Sequence, residues 1–374
     1  MKSDVLIKLE NMVYSSDAIA QLYAIQDLSS YKTLSPYSQQ CLSFCHAWLR
    51  EQASFEILTS GSTGTPKHIR ITRTQMQASA QATAQALGLK AGDKALVCLN
   101  TAYIAGKMML VRGLERGMPL IVIPPTSTPL QEVNESIEFT ALVPLQLKTM
   151  LEAPDQKYMD QLNAMKAILV GGAAVDHTLE KHIRDKISAP VFGTYGMTET
   201  VSHIALRRIN GPEATDTYQI LPGVEVKKDW RDCLSIRGAV SNYQWLQTND
   251  IVEFSDERHF RWLGRADNVI NSGGIKIYTE ALESKLQEAM HTIGIARHFF
   301  LAGLPDERLG EKLCLTIEGK RMNNEQEKQL NTWMKAHLHP YEVPKNIFYL
   351  SEFIYTPSGK IQRRQSLEMI QKKD

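Results

Sequence analysis

From about Thr74 the sequence alternates helical patterns with short apolar runs, and this alternation constrains the fold more than any other feature. Residues 75–87 are rich in Ala and Gln, 94–99 (KALVCL) read as a strand, 104–115 as a helix and 119–123 (PLIVI) as a second strand. The pattern resumes with a strand at 139–143, a helix at 146–151 and strands at 167–170 and 189–192. Strands separated by helices pair in parallel, with the helices covering the sheet.

After Tyr218 the character changes. Short strands at 233–237, 251–255 and 259–263 are joined by turns such as Ser255-Asp256-Glu257-Arg258, which predicts an antiparallel subdomain. Beyond Arg265, helices at 279–290 and 324–337 and strands at 296–302 and 312–317 make a block of about one hundred residues, enough to fold alone. The expected class is α/β: a large N-terminal domain of helix-covered sheets with an antiparallel subdomain over 1–263, a connector at 264–268, and a small α+β C-terminal domain over 269–374. A chain of 374 residues, 43% of them hydrophobic, can build both cores.

The net charge of +1 gives no global attraction to nucleic acid or to an anionic membrane, so phosphate binding has to come from local sites. No run approaches the ~20 apolar residues of a membrane span and no secretory leader is legible, so a cytoplasmic location without membrane insertion or nucleic-acid partner is expected. The five cysteines are odd in number and scattered, which argues against a disulfide framework. Cys41, Cys45 and His46 lie close together, but no second ligand cluster completes a metal site, and a buried or spectator role is expected for them.

The strongest local signal is Thr59-Ser60-Gly61-Ser62-Thr63-Gly64-Thr65-Pro66-Lys67. Its glycines permit turns, its hydroxyls can donate to anionic oxygens, and its lysine supplies charge, so a polyphosphate is the natural guest. Alone it could be a solvated linker. It is not the P-loop of kinases and ATPases, because Pro66 stands where a glycine should precede the lysine and no Ser or Thr follows.

Residues 60–67 (SGSTGTPK) resemble the phosphate-gripping loop of the acyl-adenylate-forming superfamily. The superfamily's further motifs follow in order: Tyr195-Gly196-Met197-Thr198-Glu199-Thr200, Thr248-Asn249-Asp250, Gly264-Arg265-Ala266-Asp267-Asn268, Ser272-Gly273-Gly274, and Pro357-Ser358-Gly359-Lys360. The resemblance implies an ATP-dependent ligase that makes an acyl-AMP and passes the acyl group to coenzyme A. It places Tyr195 and Gly196 beside the adenine, Thr198 near the α-phosphate, and Glu199 on Mg²⁺. It puts Asp250 on the ribose hydroxyls, Arg265 on the ribose or phosphate side, and Lys360 on the reacting charge. Asp267 matches the hinge of a mobile C-terminal domain, and Ser272, Gly273 and Gly274 match the segment that approaches the pantetheine arm. The superfamily usually has Gly where Asn249 stands. Its phosphate loop also lies farther from the N-terminus than residue 60, so part of the large domain is expected to be pared down.

The acyl group has to extend from the α-phosphate into the large domain. Tyr103, Ala105, Gly106 and Lys107 fall where the ligases often carry a His-Ile-Ser-Gly-like segment, and Gly171, Gly172 and Ala173 resemble a glycine-rich acyl-pocket loop. With residues 199–207 these segments look most like short bacterial o-succinylbenzoate–CoA ligases of menaquinone biosynthesis. A second carboxylate on the substrate calls for a cation or donors at the far end of the pocket, and Lys107, His203 and Arg207 are the candidates. Three alternatives share these motifs: another aryl- or acyl-CoA ligase, a ligase that acylates a carrier protein, and a non-catalytic nucleotide-binding homologue.

Overall fold

The computed structural model describes residues 4–21, 34–58, 68–153, 155–355 and 361–371. The N-terminal part carries β1 (Leu6–Leu9), β2 (Met12–Ser15), α1 (Ser16–Gln21), α2 (Pro36–Leu49), β3 (Ser54–Leu58), β4 (His68–Thr72) and α3 (Arg73–Leu87). Then come β5 (Ala95–Val97), α4 (Ile104–Arg116), β6 (Leu120–Val122), β7 (Phe139–Leu142), α5 (Pro144–Glu152), α6 (Gln156–Asn163), β8 (Ala167–Val170), α7 (His177–Lys186) and β9 (Val191–Gly196).

Strands β1, β6, β5, β7, β8 and β9 lie side by side in that order and pair in parallel. Strands β5, β6 and β8 are buried at every position, as expected for a sheet covered on both faces. One apolar core, with Trp48, Met76 and Met108, lies beneath α2, α3 and α4; a second, with Leu147, Leu162 and Ile183, lies beneath α5, α6 and α7. Helix α3 starts on a capping box between Thr72 and Gln75 and stops at Gly88, which takes the left-handed conformation at φ 65°. Gly106 in α4 sits against the loop after β5, where a Cβ would come within 2.6 Å of the Asn100 carbonyl oxygen, so only glycine fits.

The strands after β9 are antiparallel, as the change of pattern predicts, and they continue the same sheet. They are β10 (His203–Arg208), β11 (Tyr218–Ile220), β12 (Val224–Lys228), β13 (Cys233–Gly238), β14 (Leu246–Phe254) and β15 (His259–Arg265). Strand β10 folds back antiparallel on β9, β11 joins β10 to β15, and the sheet runs on through β14 and β13 to β12, thirteen strands in one path with β2 at the far edge. A hairpin return onto the last parallel strand keeps that edge hydrogen-bonded and needs no second sheet.

A turn of 3₁₀ helix, Ala266–Asn268, leads to a second sheet. That sheet holds β16 (Val269–Ser272), β17 (Ile275–Tyr278), β18 (Phe299–Asp306), β19 (Gly310–Glu318) and β20 (Asn346–Leu350). It packs with α8 (Thr279–Thr292) and α9 (Asn324–His337) around Leu286, Leu315 and Leu330, and α10 (Arg363–Gln371) closes a small cluster around Phe300 and Phe353. This is an α/β fold with a large helix-covered sheet and a smaller, mainly antiparallel one.

Candidate active site

The carboxyl ends of the parallel strands converge, which is where open α/β sheets form their binding crevice. Gly171, just past β8, packs against the Thr194 hydroxyl on β9, and Thr194 Oγ1 donates to the Val170 carbonyl at 3.3 Å. A Cβ at Gly171 would collide with Thr194, so the two strand ends meet only through glycine. Gly172 follows at φ 82°, and Ala173 is exposed beside it. After β5, Tyr103 is 42% exposed at the start of α4.

Tyr195 at the end of β9 is held edge-on by Phe260 and Tyr218, at ring-centroid distances of 5.2 and 5.7 Å. Its hydroxyl donates to Asp250 Oδ2 at 2.8 Å, and Trp262 Nε1 donates to Asp250 Oδ1 at 3.2 Å. Burial first, then the Asp250 carboxylate, push the Tyr195 phenol well above its ordinary pKa, so it stays a neutral donor. Asp250 faces Arg265 across the β14–β15 pair, and the guanidinium stands 3.8 Å from the carboxylate. Arg265 Nη2 also donates to Asp267 Oδ2 at 2.8 Å. Tyr195, Asp250, Arg265 and Asp267, 72 residues apart at their extremes by numbering, are thus brought together by β9, β14 and β15.

Gly196 packs so closely on the Ser202 carbonyl that no side chain would fit. Thr198, Glu199 and Thr200 form a 3₁₀ turn, and Val201 closes it at φ 68° and ψ −51°. A β-branched residue at positive φ is a strained conformation, and such strain persists only where the surroundings impose it. Thr200 Oγ1, bonded to the Met197 and Ser202 carbonyls, clamps the turn. Glu199 is exposed and makes no hydrogen bond or ion pair with any described residue, and Thr198 is half-buried beside it.

Ser272 is buried, and Gly273 and Gly274, with φ of 59° and 82°, form the two-residue turn between β16 and β17. The phosphate-loop residues Thr59, Ser60, Gly61, Ser62, Thr63, Gly64, Thr65 and Lys67, together with Lys360, lie outside the described residues.

The three cations expected at the far end of the acyl pocket are not equivalent. Lys107 Nζ donates to the Thr101 and Ala102 carbonyls at 2.7 and 3.0 Å. Arg207 is ion-paired with Glu180; burial opposes its charge, but the Glu180 pairing outweighs it and raises its pKa. Neither is a free cation. His203 is buried, with Nε2 3.0 Å from Thr83 Oγ1 and Nδ1 3.2 Å from Ser202 Oγ. Burial, then the charge of Arg112, hold its pKa well below the usual value, so it is neutral.

Among the described residues the fully buried cation is Arg112, which its sequence context alone did not single out. It is 2% exposed in the middle of α4, and burial brings its pKa down to about 10, so it is still charged at neutral pH. Its Nη2 donates to Ser202 Oγ at 2.8 Å and Nη1 reaches Met109 Sδ at 3.6 Å, while Nε has no partner and no carboxylate among the described residues neutralises it. The available signal was an arginine inside the apolar run Met108-Met109-Leu110-Val111-Arg112. Cys41 and Cys45 are buried free thiols, with Cys41 Sγ 3.3 Å from Thr101 Oγ1.

The family match and the relatives together make the chain an AMP-forming acid–CoA ligase. A family model described as AMP-binding enzyme matches residues 17–232, and the chain belongs to that family. It is 25% identical to the 2-succinylbenzoate–CoA ligase of Geobacillus sp. (strain WCH70) over 383 residues, covering 90% of this chain and 73% of the relative. It is 26% identical to the ligase of that name from Listeria monocytogenes serotype 4b (strain F2365), covering 91% and 75%. Among solved structures, an acyl-CoA synthetase (AMP-forming)/AMP-acid ligase II-like protein from Dyadobacter fermentans DSM 18053 is 43% identical with a TM-score of 0.62, covering 90% of this chain and 95% of that one. The O-succinylbenzoate coenzyme A synthetase of Bacillus subtilis, in complex with ATP and magnesium ion, shares the fold at 23% identity and a TM-score of 0.67, covering 83% and 69%.

Proposed function

We propose that the chain couples ATP to coenzyme A through an acyl-AMP, and that its acid is an aromatic dicarboxylate, o-succinylbenzoate, of menaquinone biosynthesis. The observation that carries the choice of acid is Arg112. A buried guanidinium without a counter-ion is costly, and a substrate carboxylate that neutralises it recovers much of that cost. Arg112 donates to Ser202, two residues past the Thr198–Thr200 turn, and His203 follows it, so the proposal seats the second carboxylate of an acid activated at that turn against these residues. The curated relatives named for 2-succinylbenzoate support the same choice.

In this reading Asp250 accepts the ribose hydroxyls, Arg265 adds positive charge on the ribose or phosphate side, and the Tyr195 ring and Gly196 backbone border the adenine. Residues 59–67 hold the phosphates. The exposed carboxylate of Glu199, without a partner among the described residues, fits Mg²⁺, which takes one or two protein carboxylates alongside substrate phosphates. Mg²⁺ bound there supplies neutralisation of phosphate charge. The substrate carboxylate oxygen attacks the α-phosphorus in line and pyrophosphate leaves; Thr198 donates to the α-phosphate and Lys360 stabilises the charge that develops. The coenzyme A thiolate then attacks the acyl carbon, and AMP leaves with the carboxylate oxygen.

The division into a large domain over 1–263, a hinge over 264–268 and a small mobile domain over 269–374 belongs to the same proposal, with Asp267 as pivot and Ser272, Gly273 and Gly274 beside the pantetheine arm. Among the described residues no helix is long and apolar enough to cross a membrane. The test is pyrophosphate release with Mg·ATP across o-succinylbenzoate, benzoate, medium-chain fatty acids and amino acids, with and without coenzyme A. Strong, CoA-stimulated turnover on o-succinylbenzoate is expected, with turnover on the other acids far slower. Turnover confined to another acid removes the substrate assignment, and silence across the panel removes the ligase reading.

A further inference from the structure

The segment Ala266–Asn268 is the covalent link between the thirteen-stranded sheet and the second sheet, and its central carboxylate is held by two side chains of the first. Arg265 Nη2 is one donor. The other is Asn249, whose Nδ2 lies 3.3 Å from both Asp267 oxygens. Asn249 is itself held, because Arg231 Nη1 donates to its Oδ1 at 2.9 Å. Arg231 in turn is fixed by Nε and Nη2 bonds to Asp229 Oδ2 at 3.0 and 2.7 Å, and by an Nη2 bond to the Thr248 carbonyl at 3.1 Å. A chain of side chains thus runs from the turn between β12 and β13 to the link between the sheets. A glycine at 249 would break it at its centre.

We propose that Asn249, oriented by Arg231, is a positioning residue that latches the link in the arrangement seen here and thereby sets the balance between the two half-reactions. Arg231 fixes the amide so that its NH₂ faces Asp267: with Oδ1 occupied by a guanidinium donor, the nitrogen is left for the carboxylate. Asp267 is more than half exposed, so the latch competes with water and is weak enough to open. Weakness suits this role, because a permanent tie would freeze one orientation of the second sheet and its helices. The inference rests on the two-step ligase reading only for its catalytic consequence; the latch itself is a statement about the link.

The experiment uses the full chain with Asn249→Ala, Asn249→Asp and the swap of Asn249→Asp with Asp267→Asn. Alanine removes both hydrogen bonds. The single aspartate keeps a partner for Arg231 but sets two carboxylates against each other, and the swap restores an amide–carboxylate pair with the groups exchanged. Hydrogen exchange of the peptide spanning 266–269 in the ligand-free protein should rise about fivefold to tenfold in the two single variants, the scale of one ordinary net hydrogen bond, since solvent weakens the charged pair. The swap should return it toward wild type. ATP–pyrophosphate exchange and thioester formation from supplied acyl-adenylate should move in opposite directions, each by about threefold or more, since release from one orientation favours the other. Unchanged exchange in the single variants, or half-reactions that fall together, overturns the latch. Wild-type protein that adenylates no acid overturns the ligase reading instead, and the exchange measurement then decides the latch alone.

Discussion

Replacing Arg112 with Met tests the pocket most sharply, because the two roles open to a buried arginine predict opposite results. The guanidinium is 2% exposed and among the described residues has one good hydrogen bond, to Ser202, and no partner for Nε. If its partner is the substrate, the free protein carries an uncompensated charge, and an apolar side chain of similar length is tolerated: unfolding free energy stays within about 1 kcal/mol of wild type or rises. Binding of the second carboxylate then loses a buried charge pair, which costs about 2–5 kcal/mol when one side is truncated. The Ser202 hydroxyl remains as a donor, so the lower half applies, and at 1.4 kcal/mol per decade kcat/KM for o-succinylbenzoate falls about 30- to 300-fold. The assay compares pyrophosphate release on o-succinylbenzoate with release on an aromatic monocarboxylate, beside urea unfolding of both proteins. Monocarboxylate turnover should change by less than about threefold. Equal losses on both acids, or destabilisation of about 3 kcal/mol or more, would refute the reasoning by showing that Arg112 serves the protein and not the ligand.

Lys360→Ala should lower ATP–pyrophosphate exchange by about 100-fold or more, the scale of a lost electrostatic contact, while thioester formation from supplied acyl-adenylate stays within severalfold; equal loss of both contradicts its assignment. Asp250→Ala should raise KM for ATP by about tenfold or more and leave KM for the acid nearly unchanged, as read from initial rates. His203 is neutral in the folded state with its pKa held well below 6.5. Below pH 6.5 the unfolded chain therefore binds the extra proton, and His203 makes stability fall as pH drops, at up to about 1.4 kcal/mol per pH unit. Urea midpoints at pH 7.5 and 5.5 should separate less in His203→Gln than in wild type, and an unchanged separation rules the contribution out.

The helix–strand alternation from β5 to β8 was legible because β5, β6 and β8 are buried at every position and read as unbroken apolar runs. Strand β1 was not. Its LIKL run is short, and its burial comes from pairing with β6 more than a hundred residues later. The antiparallel strands were legible as strands, but their attachment to β9 depends on a hairpin return whose register no local pattern encodes. The order of the motifs named Tyr195, Asp250 and Arg265, yet the bonds among them arise only from the pairing of β14 with β15 and their packing against β9. Charge state was the least legible property. Arg207 reads as a free cation until Glu180 is found beside it, and Arg112 reads as a polar position on a helix until its burial is known.

The most direct test of the account follows the oxygen. With o-succinylbenzoate labelled with ¹⁸O in its carboxylates, Mg·ATP and coenzyme A, the AMP recovered should carry one labelled oxygen, transferred when the carboxylate attacks the α-phosphorus. Label in orthophosphate with release of ADP, or unlabelled AMP alongside the thioester, would contradict the acyl-AMP route.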